Sequence, residues 1–128
     1  MHKLKVAIVE DSQLIRKRLV ELVEEIDDMV VVGEAATESA AIDMCRKSNP
    51  DAIILDMQLE VGNGLGVLKA MRYSAGSGET KPTIIVLTNF PSPSVQRAAI
   101  ALGADAFLDK SREFHKVVGL LQSAADAL

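Results

Sequence analysis

Short apolar runs rich in β-branched residues alternate along the chain with segments whose apolar residues recur every three or four positions. The first run, Lys5-Val6-Ala7-Ile8-Val9, stops at Glu10-Asp11. Periodicity alone does not separate a buried strand from a turn of helix in so short a run, but its length favours a strand. Ser12 then offers an N-cap, and Leu19, Leu22, Val23 and Ile26 recur at helical spacing as one stripe. Met29 to Val32 predicts a second strand and Thr37 to Lys47 a second helix, with Ala41, Ile42 and Cys45 inward, ending before the break at Asn49-Pro50. Ala52-Ile53-Ile54-Leu55 predicts a third buried strand that ends at Asp56, and Gly62-Asn63-Gly64 a loop before a helix over Leu65 to Tyr73, with Leu65, Leu68 and Met71 inward. Ser74 to Lys81 is a polar, glycine-containing connection to the fourth strand, Thr83 to Leu87. Ser92-Pro93 opens the fourth helix, with Val95, Ala98, Ala99 and Leu102 as its stripe and Gly103 at its end. Ala106-Phe107-Leu108 is a short fifth strand, and Glu113 to Ala125 an amphipathic last helix.

Strand and helix in strict alternation predict an α/β domain whose parallel sheet is covered on both faces, with right-handed crossovers. A length of 128 residues fits one domain over 1–128, with no internal repeat and no output region following the last helix. A net charge of −4 gives no basic stripe for nucleic acid. The longest apolar runs are strand-sized, so no segment is expected to span a membrane. Cys45 is the single cysteine, which excludes an intramolecular disulfide and makes buried filler its expected role. No leader-like apolar run opens the chain, in keeping with a cytoplasmic location.

The chemistry collects at strand ends. In open α/β sheets ligands bind beyond the carboxyl ends of the strands, where strand order reverses. Glu10 and Asp11 follow the first strand, Asp56 the third, Thr88 the fourth and Lys110 the fifth. With strand order 2-1-3-4-5 the first and third strands are neighbours, and three carboxylates converge. Such a cluster calls for a hard divalent cation, Mg²⁺ or Mn²⁺. An aspartate can act as nucleophile toward phosphorus, and phosphoryl transfer needs positive charge beside it, which Lys110 can supply. The Thr88 hydroxyl can donate to a phosphoryl oxygen.

This ordered set, with Ala-Leu-Gly-Ala-Asp-Ala-Phe-Leu-Asp-Lys from 101 to 110, resembles the response-regulator receiver family over essentially the whole chain. The resemblance implies a flavodoxin-like (βα)5 three-layer sandwich. It implies Asp56 as phosphoacceptor, with Asp11, Asp56 and the Gln58 backbone carbonyl as metal ligands and Glu10 as an acidic partner acting through water. Thr88 and Lys110 contact the phosphoryl group, Thr88 and Phe107 form a switch, and Gln58 and Phe90 border the group. The donor is a histidine kinase or a histidine phosphotransfer protein, expected to dock at Leu14, Ile15 and Arg18. Output passes through the fourth helix, fifth strand and fifth helix, near Arg97, Asp109 and Lys116, where a partner or a second copy docks. Such a chain modifies only itself and is not an enzyme with a turned-over substrate.

Departures from the family pattern are Glu10 for Asp, Glu60 and Ser111 where proline is common, and Phe107 for tyrosine. No cis bond is assumed before Ser111. An aspartyl-phosphate phosphatase of the haloacid-dehalogenase kind needs a second Asp two residues past the nucleophile, and Gln58 cannot give that proton. A receiver that only binds partners is disfavoured by the intact Asp11, Asp56, Thr88 and Lys110. A dinucleotide site lacks its glycines, because Glu10-Asp11-Ser12 stands in their place.

Overall fold

Successive side chains of a strand point to opposite faces of its sheet, and the central strands here are apolar at both. The computed structural model describes residues 3–74, 81–89 and 91–128, without the side chains of Tyr73 and Ser74. In chain order the elements are β1 (Leu4–Val9), α1 (Gln13–Glu24), β2 (Met29–Ala35), α2 (Glu38–Ser48), β3 (Ala52–Leu55), α3 (Gly64–Ser74), β4 (Thr83–Thr88), α4 (Pro93–Ala101), β5 (Ala106–Asp109) and α5 (Lys116–Asp126). The strands form one parallel sheet in the order β2-β1-β3-β4-β5, as the sequence predicts.

One core lies between the sheet and α2, α3 and α4, where Ala7, Val9, Ile53, Leu55, Ile84 and Val86 meet Cys45, Leu68 and Ala99. The alternate residues Val6, Ile8, Ala52, Ile54, Ile85 and Leu87 meet Leu19, Val23, Val117 and Leu121 of α1 and α5 in a second core. The result is a flavodoxin-like three-layer sandwich. Full burial of a Leu, Ile or Val contributes about 1.5–3 kcal/mol, whereas an exposed pair such as Lys47–Asp43 contributes about 0.3–0.5 kcal/mol. The two cores therefore hold the layers together. Burial pushes the Cys45 thiol up to about 11, consistent with filler.

The caps expected at Ser12 and Ser92 form, and Thr37, expected as the first residue of its helix, is a third cap. Ser12, Thr37 and Ser92 accept from the N–H groups of Ile15, Ala40 and Val95 at 3.3, 3.3 and 3.2 Å. Gly103, with φ +103°, follows the end of α4.

Three boundaries or faces differ from expectation. β2 continues three residues past Val32, through a register shift opposite Val6 and Ala7. Gly33 does not end the strand; its bare Cα lets α2 approach, since a Cβ there would strike the Met44 side chain. α5 begins at Lys116 rather than Glu113, because Glu113 is tied back into a turn: its N–H donates to the Asp109 carbonyl at 2.7 Å and its carboxylate accepts from the Asp109 N–H at 3.1 Å. In α3, Val67 is fully buried beside Leu68, while Leu65 is only half-buried. Of the polar connection from Ser74 to Lys81, residues 75–80 lie outside the described residues.

At the amino end of the sheet two aspartates join neighbouring strands. Asp51 donates its N–H to the Lys5 carbonyl and accepts from the Lys5 N–H, both at 2.8 Å. Asp105 does the same with Ile84, at 2.9 and 2.8 Å. Loss of the partner of a backbone N–H that is shielded from water costs about 1–3 kcal/mol, and the Lys5 N–H is partly buried. Asp51→Ala is accordingly expected to lower the unfolding free energy by that amount in urea titration while sparing the chemistry at the opposite end of the sheet.

Candidate functional site

The strand registers bring the acidic and basic side chains together at the carboxyl edge. Val9 pairs with Leu55, and the Asp56 N–H donates to the Val9 carbonyl at 3.0 Å, so Glu10 and Asp56 emerge side by side. Thr88 pairs with Asp109, and the Lys110 N–H donates to the Thr88 carbonyl at 2.8 Å, which carries Lys110 to the same edge. Glu10, Asp56, Thr88 and Lys110 are the buried polar side chains among the described residues.

Lys110 spans the group. Its Nζ donates to Asp56 Oδ2 at 3.1 Å and, in a very short contact, to Glu10 Oε1. The second oxygen of each acid is held by backbone: Glu10 Oε2 accepts from the Ser12 N–H at 2.9 Å, and Asp56 Oδ1 from the Gln58 N–H at 3.1 Å. Asp11 is exposed at the rim, and one oxygen from each of Glu10, Asp11 and Asp56 lies within 4.8 Å of the others. Glu10 and Asp56 thus share one ammonium, with the Asp11 carboxylate beside them. A hard cation with oxygen ligands fits that excess of negative charge, and the side chains able to hold it are Glu10, Asp11 and Asp56.

Burial raises the Glu10 carboxyl most, and the nearby Asp56 charge adds to it; against the Lys110 hydrogen bond they bring it to about 7. Burial also opposes the Lys110 charge, but its bond to Glu10 and the charge of Asp56 prevail and hold it above its ordinary value. The ammonium therefore stays charged while Glu10 takes up a proton near neutrality. A carboxyl raised in the folded state holds a proton that the unfolded chain releases, so stability present below the ordinary 4.5 is lost as pH rises through about 7. Metal-free protein is expected to melt progressively earlier across that window, and Glu10→Gln to flatten the profile in pH-dependent thermal unfolding.

Other expected residues fall out as follows. Phe107 is half-buried on β5 and packs against the core under α4. Leu14, 68% exposed, and Arg18 point outward from α1, whereas Ile15 is half-buried against the core shared with α5. The Gln58 side chain is exposed, and its backbone bridges Asn63. Phe90 lies outside the described residues. The Lys110–Ser111 bond is trans, and Asp109 accepts from the Ser111 N–H and hydroxyl at 2.9 and 2.7 Å. The direct Glu10–Lys110 contact shows what the longer Glu side chain does here: it reaches the ammonium without an intervening water.

Arg16, the first of three consecutive basic residues, braces the site without being among the residues expected there. Its Nη1 donates to the Glu10 carbonyl at 2.8 Å, and its Nε lies 3.4 Å from Glu34 on β2. The available signal was spacing: Arg16 stands one turn beyond the cap Ser12, over the end of β1.

No helix among the described residues is long and apolar enough to cross a membrane. The chain is similar to the transcriptional regulatory protein DesR of Bacillus subtilis, 30% identical over 116 residues, which are 91% of this chain and 55% of that protein. It is 37% identical over 114 residues to a protein-glutamate methylesterase/protein-glutamine glutaminase of Nitrosomonas europaea, covering 88% of this chain and 30% of that protein. The chain thus spans about half or less of the length of these relatives. The response regulator domain of Thermotoga maritima CheB superimposes with a TM-score of 0.83 at 25% identity, covering 98% of this chain and 96% of that one. The family model of the response regulator receiver domain matches residues 6–122. With that match laid over a 2-1-3-4-5 sheet whose carboxyl edge gathers Glu10, Asp11, Asp56, Thr88 and Lys110, the chain belongs to the response regulator receiver domain family.

Proposed function

We propose that this receiver domain accepts a phosphoryl group on Asp56. The carrying observation is the Lys110 ammonium bridging Asp56 and Glu10 beside Asp11. A carboxylate oxygen of Asp56 forms the new bond to phosphorus as the bond to a donor histidine nitrogen breaks, and the imidazole leaves with its electron pair and takes a proton. Lys110 stands where it can balance charge on the equatorial oxygens, and the Thr88 hydroxyl ends the adjacent strand. A divalent cation such as Mg²⁺ or Mn²⁺ supplies Lewis-acid stabilisation of that charge when bound. Glu10, Asp11, Asp56 and the Gln58 carbonyl are its ligand set.

The donor is a histidine kinase or histidine phosphotransfer protein, and Leu14 and Arg18 are the outward side chains of α1 near the acidic pair. The whole chain acts as one receiver that modifies only itself. Thr88 and Phe107 transmit the change to the surface of α4, β5 and α5, where Arg97 and Lys116 are exposed to a partner or a second copy. Incubation with acetyl phosphate tests the reading: one adduct by intact mass with Mg²⁺, and none with chelator, is the expected result. Equal labelling in both would overturn the metal-dependent transfer.

A further inference from the structure

We propose that Glu38 is a positioning residue for the site, holding from a neighbouring helix the loop that carries Gln58 and meets Asp56. This inference rests on the phosphoacceptor reading above. The loop from Met57 to Gly64 contains no proline and has glycine at 62 and 64, so nothing in its own sequence stiffens it. Its order comes from a series of hydrogen bonds. The Gln58 N–H donates to Asp56 Oδ1 at 3.1 Å. Gln58 bridges Asn63 across the loop, and the Gly64 N–H closes it on the Met57 carbonyl at 2.9 Å. Asn63 Oδ1 accepts from the Gly66 N–H at 3.0 Å, which ties the loop to the first turn of α3.

The outer end of the series is Glu38. Its Oε1 accepts from the Asn63 N–H at 3.0 Å across 25 residues of chain, and its own N–H donates to the Val61 carbonyl at 3.0 Å. The side chain fills a notch that glycine leaves open, because a Cβ at Gly62 or Gly66 would overlap it. Glu38 thus touches neither Asp56 nor the cation ligands, yet fixes the strand of loop in which the Gln58 carbonyl must be presented. A group that orients a metal ligand from behind governs affinity more than stability.

The test uses the full chain with Mg²⁺ alone as probe, and amide exchange and melting as independent readouts. Glu38→Ala is expected to speed exchange of the Asn63 amide in metal-free protein and to weaken Mg²⁺ binding about tenfold, with melting little changed. Glu38→Gln, which keeps an acceptor oxygen, restores most of both. Gly66→Ala introduces a Cβ that displaces the Glu38 carboxylate, and it is expected to weaken Mg²⁺ binding although alanine favours α3; loss of affinity without loss of stability is what a merely structural contact would not produce. Wild-type Mg²⁺ affinity in Glu38→Ala, or an Asn63 amide equally protected in it, overturns the positioning role alone. A wild-type protein that neither binds Mg²⁺ nor takes up a phosphoryl group overturns the phosphoacceptor reading and this inference with it.

Discussion

Asp56→Asn is expected to acquire no phosphoryl adduct from acetyl phosphate and Mg²⁺, under conditions that label the wild type. The amide is no nucleophile toward phosphorus, and no other carboxylate in the cluster is placed to replace it: Glu10 is bound at both oxygens by Lys110 and Ser12, and Asp11 stands at the exposed rim. The same variant carries an unusual stability signature. At 3–5 Å each pairwise term between full charges is about 3–5 kcal/mol at an effective dielectric of 20. Above the pH of about 7 at which Glu10 ionises, removing the Asp56 charge forfeits one attraction, to Lys110 at 3.1 Å, and relieves two repulsions, from Glu10 and Asp11 within 4.8 Å. The terms nearly cancel or favour the variant. Metal-free Asp56→Asn is therefore expected to unfold at the same or a higher urea concentration than the wild type; a large destabilisation would mean that the cluster is not electrostatically overloaded.

Lys110→Ala should be the most destabilising change at the site. The ammonium and its two partners are each 7% exposed or less, so truncation leaves buried carboxylates without their cation. Breaking a buried pair from one side costs about 3–5 kcal/mol. The cost is pH-dependent in a defined direction. With Lys110 gone, its hydrogen bond and charge no longer lower the Glu10 carboxyl, which leaves the Ser12 N–H alone against burial and the Asp56 charge. Glu10 then protonates more readily, and the loss of stability is expected to be smallest in mild acid and largest above neutral pH. Denaturant unfolding at two pH values checks this. Lys110→Ala should also lose phosphoryl uptake even where it remains folded, since the hydrogen bond left to the Asp56 carboxylate comes from the uncharged Gln58 N–H.

The parts of this arrangement legible in the sequence share a local signature. An apolar run of strand length that halts at a polar residue marks a strand end; Glu10, Asp56 and Thr88 stand at such halts and Lys110 one residue past Asp109, and all four are buried at one sheet edge. The helix caps at Ser12 and Ser92 are equally local. Strand order was not in the periodicity; it came with the switch-point rule and the family resemblance. What escaped was long-range bonding between side chains and backbone. Asp51 on Lys5 and Asp105 on Ile84 span 46 and 21 residues, and Glu38 on Asn63 spans 25. No period or composition marks such partners, because their meaning arises only when the sheet brings two segments together. The extension of β2 past Val32 is hidden for a related reason: the place of Gly33 under α2 is evident only once that helix lies above it. Glu113 likewise looks like a helix start, while its carboxylate is engaged by the Asp109 N–H.

The most direct measurement is to locate the modified residue. Wild-type protein labelled with acetyl phosphate and Mg²⁺ is reduced with borohydride, which converts an aspartyl phosphate to homoserine, then digested and sequenced by tandem mass spectrometry. The account predicts homoserine at position 56 and at no other aspartate. Homoserine at Asp11, or a phosphoryl group that survives borohydride on a serine or threonine, would contradict it.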